Sequence, residues 1–523
     1  DTPYSSLTPS PRRACRQLGP APAIPYLDLL PVELWLACWA LCSLRQLRRI
    51  SLVCRLFRAL ALSFVFEHQS FDVAALTAGL SRDNWMDRVR HLHRTAVRID
   101  RLVEAPYAPL IRSWKAVFKN VAPMVCHHTD IQNIHLFDST YHRVVMTFST
   151  TLVRYDNLSS VHMERFNLDA AFRKTLLSIP RLQDLTLCGC NVDARDGFLG
   201  LRSWTISGGG RGGDVPPLQI ASPNTLCDLH LARAIETSRL ILGFGPRKLP
   251  ELVNLSIDMI RSTDIDLVFR FLHQCPRLES LEIDSIEGQL PLPAVHMTAI
   301  PLLRSLTGPQ LLLQLLAPNR PIYEAKFRDD KKYNNDPQEL MLACMDISRS
   351  ASPLHYLTLP ATTPTLELLI SITRLFPDLK ELSITMASRP SFRCGTGRFN
   401  HHWEAATNPL DRRSVELIDE DAFADPRTED VSDTEPEDLP TISPTTLYIG
   451  PKMIGRYSSV IIWIFDGELS LPANIEVFRV EDTFFANDEQ VIATLGVMYP
   501  RLRQIQYGSV LNRWERTGAL WKG

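Results

Sequence analysis

Charge of one sign is the first thing this chain lacks: 56 Lys and Arg against 58 Asp and Glu leave a formal net charge of -2 and a pI near 6.7. With no global bias, attraction to nucleic acid or to an anionic membrane is not expected, and any charged partner has to be recognised locally. Long apolar runs are missing too. Stretches such as Val460 to Phe465 and Leu311 to Leu313 fall far short of the roughly 20 residues that cross a bilayer, so no transmembrane helix is expected. The 11 cysteines are an odd number scattered along 523 residues, unlike the dense pairs of a small secreted domain. A reducing compartment follows, cytoplasmic and/or nuclear.

The signatures of metal and cofactor chemistry are also absent. Cys188 and Cys190 form the closest cysteine pair, but no second pair and no histidine at finger spacing accompanies them, which speaks against zinc. His127 with His128 and His401 with His402 are adjacent, so each pair points in two directions and reads as solvated loop histidines. The stretch SGGGRGG from Ser207 to Gly213 has no Gly-Lys-Ser/Thr after it, and a loop between elements is expected there, not a phosphate cradle. Nucleophile elbows and dinucleotide glycine patterns are not found in their required contexts. No enzymatic activity, cofactor or metal is expected.

At 523 residues the chain exceeds the size at which one compact core keeps growing, so several domains or a repeat array are required. Residues 1–25 are rich in Pro, Ser and Arg and are expected to be disordered. Arg12, Arg13 and Arg16 ahead of the uncharged stretch Leu34 to Leu44 imitate a signal peptide, but Asp28, Pro31 and Glu33 interrupt the pattern. The chain starts at Asp1 and not at a Met, so a missing N-terminal segment is expected.

From Leu29 the pattern becomes helical. Pro31 suits a first turn, and Leu34, Cys38, Leu41 and Cys42 fall at i, i+4, i+7 and i+8, the mark of an amphipathic helix. A second helix carries Leu44, Leu47, Ile50 and Val53, and a third Phe57, Leu60, Ala61 and Phe64. These residues resemble the F-box: Leu30, Pro31, Glu33 and Leu34 match its opening, and Leu47, Ile50, Val53, Cys54, Arg55, Phe57 and Arg58 its middle and end. Cys38 stands where the family usually has Ile or Val, and Ser43-Leu44 replaces a common Asp-Pro turn. The resemblance implies docking onto the Skp-type adaptor of a cullin-RING (SCF) ubiquitin ligase, with Leu30, Pro31, Leu34, Leu47, Ile50, Val53 and Phe57 forming the adaptor-binding and core surface. Arg45, Arg48, Arg49, Arg55 and Arg58 add a basic helical surface that suits an acidic adaptor.

The rest of the chain is periodic. The pattern L-x-x-L-x-L recurs from Ile131/Ile134/Leu136 through Leu158, Leu182, Leu201, Leu226, Leu252 and Leu278, then at Leu354, Leu379, Ile475 and Leu502, with weaker copies at Leu303 and Ile322. Successive first positions from Ile131 to Leu303 lie 27, 24, 19, 25, 26, 26 and 25 residues apart, close to the period of leucine-rich repeats. The clearest copies follow a helical stretch ending in Pro, as in FLHQCPRLESLEI, so the unit is helix, stop and a short strand whose alternating apolar residues face the interior.

The expected fold is therefore α/β: a leucine-rich-repeat-like solenoid with a parallel sheet on its concave face and a small all-α F-box in front. Its boundaries are 26–71 for the F-box, 72–130 for a helical linker or cap, 131–403 for the solenoid, 404–445 for an acidic disordered insertion and 446–523 for the last repeats. Within that insertion residues 411–440 hold 12 acidic and 3 basic residues, and Ser432 and Thr434 are candidate sites for an acid-directed kinase. The order of F-box and degenerate repeats is similar to large fungal families. It implies a subunit that binds adaptor and cullin complex at one end and an unknown protein target at the other, the alternatives being an F-box scaffold or a repeat-only interaction module. The target is expected on the outward positions of the strands: Asp228, His230, Asp258, Glu282, Asp284 and Glu381. Asp258, Glu282 and Asp284 make a patch of like charge whose natural counterpart is a basic segment.

Overall fold

The computed structural model describes residues 30–73, 85–118, 131–192, 198–208, 220–232, 234–287, 299–328, 336–386, 458–481, 489–508, 513–518 and 520–522. The expected disordered N-terminus, the acidic insertion with Ser432 and Thr434, and both histidine pairs lie outside these residues, as does most of the SGGGRGG stretch. The chain divides into two compact units that meet at His68 and Gln69.

The first unit is three helices, α1 (Val32–Ala40), α2 (Leu44–Ile50) and α3 (Arg55–Glu67). Ser43 starts α2 with a capping box: its hydroxyl accepts from Gln46 N at 3.3 Å while its own N–H donates to Gln46 Oε1 at 2.7 Å. Ser43 thus fixes the turn into α2. The core is built on Trp39, Leu47 and Ala61, against which Trp35, Cys42, Ile50, Phe57, Leu60 and Phe64 pack. The rings of Trp39 and Phe57 meet edge-on at 4.9 Å, a geometry that aromatic quadrupoles favour. Of the apolar residues expected along the first helix, Cys42 packs against this core while Leu34, Cys38 and Leu41 are exposed, because the two tryptophans fill the space between the helices.

The second unit is a repeat solenoid in which, among the described residues, 16 strands form one sheet. In chain order its strands are β1 (His68–Asp72), β2 (Ser113–Val117), β3 (Ser160–Glu164), β5 (Asp184–Cys188), β7 (Ser203–Ser207), β8 (Asp228–Leu231), β9 (Asn254–Arg261) and β10 (Ser280–Glu287). They continue as β11 (Ser305–Gly308), β12 (Glu324–Phe327), β13 (Tyr356–Thr358), β14 (Glu381–Thr385), β15 (Val477–Glu481), β16 (Gln504–Gly508), β17 (Arg513–Thr517) and β18 (Leu520–Lys522). The short strands β4 (Asn167–Leu168) and β6 (Asn191–Val192) pair with each other. Order in the sheet follows order in the chain, so each repeat adds one strand beside the last. Pairing is parallel from β2 to β16, and the terminal hairpin β17–β18 is antiparallel.

The strand spelling explains the register. In β10, Leu281 and Ile283 are buried between the half-exposed Ser280, Glu282 and Asp284, and they lie beside Leu255 and Ile257 of β9. The leading leucines Leu158, Leu226, Leu252, Leu278, Leu379 and Leu502 are fully buried. Helices between strands are started by side-chain caps: Asp169, Thr365 and Ser458 each accept the N–H three residues on.

Two repeat assignments change. Ile131 to Leu136 belongs to a helix, Ile131–Leu152, not to a strand. A strand upstream of it takes that place in the sheet: Ile111, Trp114 and Ala116 of the β2 region occupy the buried apolar positions and pair β2 to β3. The sheet therefore begins ahead of the segment expected as a linker: β1 falls across the expected end of the helical module at Phe71, and β2 lies within the expected linker. Phe71 is part of the solenoid core, its ring 5.1 Å from Phe148 and 6.0 Å from Trp114.

Candidate interaction surfaces

The first unit divides its sequence-picked residues into two groups. Leu47, only 5% exposed, belongs to the core with Ile50 and Phe57, so these three act by shaping the unit and not as contact residues. Leu30, Pro31, Leu34 and Val53 are exposed, at 50% for Leu34 and 69% for Val53. Leu41 and Leu52, which sequence reasoning did not select, are the most open at 84% and 82%, and Val32, Leu44 and Leu56 are exposed as well. So many large apolar side chains on fewer than 30 residues exceed what a free surface normally shows, and such patches mark interaction sites. Arg45, Arg48 and Arg49 of α2 and Arg55 and Arg58 of α3 are all exposed.

On the open face of the solenoid sheet, parallel register lines up side chains from successive repeats. One row runs Asp228, Asn254, Ser280, Ser305 and Glu324; the next runs His230, Ser256, Glu282, Thr307 and Lys326. Asp258 and Asp284 follow two residues further along their strands. The structure thus brings Asp228, His230, Asp258, Glu282 and Asp284 onto one patch, while Glu381 sits apart on β14.

The patch is not a bare cluster of like charge. Arg328, just beyond β12, reaches across the end of β11 to Asp284 Oδ1 at 2.9 Å and also hydrogen-bonds Glu282 Oε1. It can cross because β11 ends in Gly308, whose carbonyl accepts the Arg328 N–H at 2.9 Å. Ser256 Oγ donates to Glu282 Oε2 at 3.2 Å, and the His230 ring stands 3.7 Å from Asp258 Oδ1. Asn254 donates to Asp228. Burial, with the neighbouring carboxylates adding to it, still holds the Asp258 and Asp284 carboxyls above the ordinary range against the pull of Arg328 and His230. Three carboxylates facing one internal guanidinium remain acidic, but the strongest complement to a basic segment is already supplied from within. Glu381 is likewise occupied, by Arg479 at 2.6 Å.

Sequence reasoning missed Arg328 because it lies outside the triplet, six residues after Ile322. The same offset from Leu278 gives Asp284, so aligning repeats by their leading residue exposes the pairing.

Among the described residues there is no group of His, Cys, Asp and Glu able to hold a metal ion, and no helix is long and apolar enough to cross a membrane. No family model matches the chain, and no curated protein matches it. Among solved structures, a chain in the crystal structure of the yeast Rad7 and Elc1 complex is similar over 70% of this chain and 94% of its own length, at 12% identity and a TM-score of 0.29. Similarity at that level identifies neither function nor partner.

Proposed function

We propose that this chain is the substrate-recognition subunit of an SCF (cullin-RING) ubiquitin ligase, with an F-box that docks a Skp-type adaptor and a leucine-rich-repeat-like solenoid that holds a protein target. The observation that carries this reading is the set of exposed leucines and valines of the three-helix unit, together with five exposed arginines. Such a surface is costly in water and gains free energy when covered, at about 25 cal/mol per Å² of apolar area. The F-box resemblance of Leu30, Pro31, Glu33, Leu34, Val53 and Cys54 names the cover: an acidic adaptor. A long row of half-exposed polar side chains on a stacked parallel sheet is suited to reading an extended protein surface. The work of such a subunit is to hold its target near the transferred ubiquitin.

The test is reconstitution of the full chain with a Skp-type adaptor and the double substitution Leu34→Asp with Val53→Asp. Both positions are exposed, so the helical circular dichroism of the unit is expected to persist. Adaptor affinity is expected to fall at least about a hundredfold, since two buried carboxylates without partners cost several kcal/mol. Undiminished adaptor binding by a folded double variant would remove the F-box reading. Targets that accumulate when the chain is deleted separate a degradation receptor from a scaffold.

A further inference from the structure

Upstream of the acidic patch, the same open face carries a second cluster of titratable side chains. Sheet register sets Lys115 of β2 beside His162 of β3, Glu164 beside Cys188 of β5, and Cys188 beside Ser207 of β7. His162 and Glu164 are two residues apart on one strand and so share a face. The imidazole Nε2 lies 2.9 Å from Glu164 Oε1, and the Lys115 ammonium 3.2 Å from the same oxygen. Register therefore places the Cys188 thiol on the same corner of the face as the Ser207 hydroxyl, directly beside it, and the His162 ring, one step diagonally across from it. Arg165 closes the cluster in the turn after β3, where its N–H donates to the Cys188 carbonyl at 2.7 Å.

Each group's surroundings favour its charged form. Burial alone raises the Cys188 thiol, but the hydrogen bonds from His162 and Ser207 and the charge of His162 outweigh it and bring the thiol below its ordinary value. Burial works against the imidazolium of His162, yet its hydrogen bonds to Cys188 and Glu164 hold it up to about 9. Glu164, hydrogen-bonded by His162 and then by Lys115, is pulled down to about 2. The contrast with other cysteines is chemical: burial pushes Cys190, Cys275 and Cys344 up to about 12. A thiolate is the nucleophilic form of cysteine, and a cationic partner in a partly open setting sustains it.

We propose that Cys188 is a nucleophilic modification site on the open face of the sheet, its thiolate held by the His162 imidazolium and His162 in turn by Glu164, and that it reacts with hydroperoxides to form a sulfenic acid. The sulfur attacks one peroxide oxygen, an S–O bond forms and the O–O bond breaks. The departing hydroxide, or alkoxide where the hydroperoxide is organic, takes the proton of the His162 imidazolium and leaves as water or alcohol; Cys188 is oxidised and the peroxide reduced. Cys190 does not serve as a resolving thiol, because it is buried and its Sγ donates to the Met163 carbonyl at 3.3 Å. The product therefore stays a sulfenic acid, placed among the rows of side chains on the open face. The inference does not depend on the ligase reading.

The test uses the full chain and follows alkylation by iodoacetamide cysteine by cysteine with peptide mass spectrometry. At pH 6 the half-exposed Cys188 is expected to react at least about fivefold faster than the exposed Cys38, since thiolate fraction outweighs the modest loss of intrinsic nucleophilicity. His162→Gln is expected to slow Cys188 about tenfold while leaving the Cys38 rate unchanged. Hydrogen peroxide followed by dimedone is expected to label Cys188. The comparison within the unaltered chain needs no variant to fold: a Cys188 no faster than Cys38 at pH 6, or dimedone adducts on Cys38 without one on Cys188, would overturn the proposal.

Discussion

A histidine that is held protonated by two hydrogen bonds leaves a trace in the pH dependence of stability. The folded-state pKa of His162 is up to about 9, above the unfolded value near 6.5, so the folded state binds the extra proton between those limits. Its stabilising contribution is complete below about pH 6.5 and is lost as pH rises through about 9. The stability gap between the natural chain and His162→Gln, measured by urea unfolding, is therefore expected to be largest at or below pH 6.5 and to close by about pH 10. A gap that widens with rising pH would show that the ring is neutral in the folded chain. Neither His162 nor Arg328 announces itself in the sequence, because each depends on a neighbour one or two repeats away. Cys188 is visible there only as half of a poor metal motif. Counting 24 residues back from it, the local repeat spacing, gives Glu164, so the pairing is written in the period and not in any motif.

At the scale of elements, what was legible is what had a fixed spelling. Copies beginning at Leu182, Leu226, Leu252, Leu278, Leu379, Ile475 and Leu502 all form strands of one sheet, because alternation of apolar and polar residues admits one register against a covered face. Ile131 to Leu136 has the same spelling but opens a run in which Phe137, Tyr141, Val144 and Phe148 continue at helical spacing, and the longer period prevails. β2 was hidden because Trp114 and Ala116 stand where leucines are usual. The close of β11 is a sharper case. A Cβ on Gly308 would lie 2.6 Å from Leu312 Cδ2 and 3.0 Å from the Ile283 carbonyl oxygen, so the backbone of β10 and the following helix Gln310–Leu316 leave no room for one. Gly308→Ala is expected to cost about 1 to 3 kcal/mol, the usual range for overpacking a filled core. The measurement is the shift of the chemical denaturation midpoint at constant m-value; an unchanged midpoint would mean that Leu312 moves aside freely.

For the whole molecule, the decisive boundary is the one between the helical unit and the solenoid, and it lies at His68 and Gln69 rather than after Phe71. Hydrophobic pattern alone does not reveal this, since Phe64, Phe66 and Phe71 read as one aromatic run. Only the first of these packs in the three-helix core, whereas Phe71 lies edge-on to Phe118 and Phe148 in the core of the first repeats. In a stacked array each repeat leans on its immediate neighbours, so damage at one end stays near that end. A chain that begins at His68 keeps β1 and is expected to retain the full solenoid while losing adaptor binding. A chain that begins at Asp72 loses Phe71 and most of β1, a deletion comparable to truncating a buried phenylalanine at about 3 to 5 kcal/mol. Hydrogen exchange is the measurement that distinguishes them. Protection in β2 and β3 is expected to drop in the shorter chain only, and β10 to stay protected in both, because six strands separate it from β1 in the sheet. Equal protection of β2 in the two chains would place the boundary beyond Phe71, and loss of protection as far as β10 would mean that the repeats unfold as one cooperative block and not as neighbours in a row.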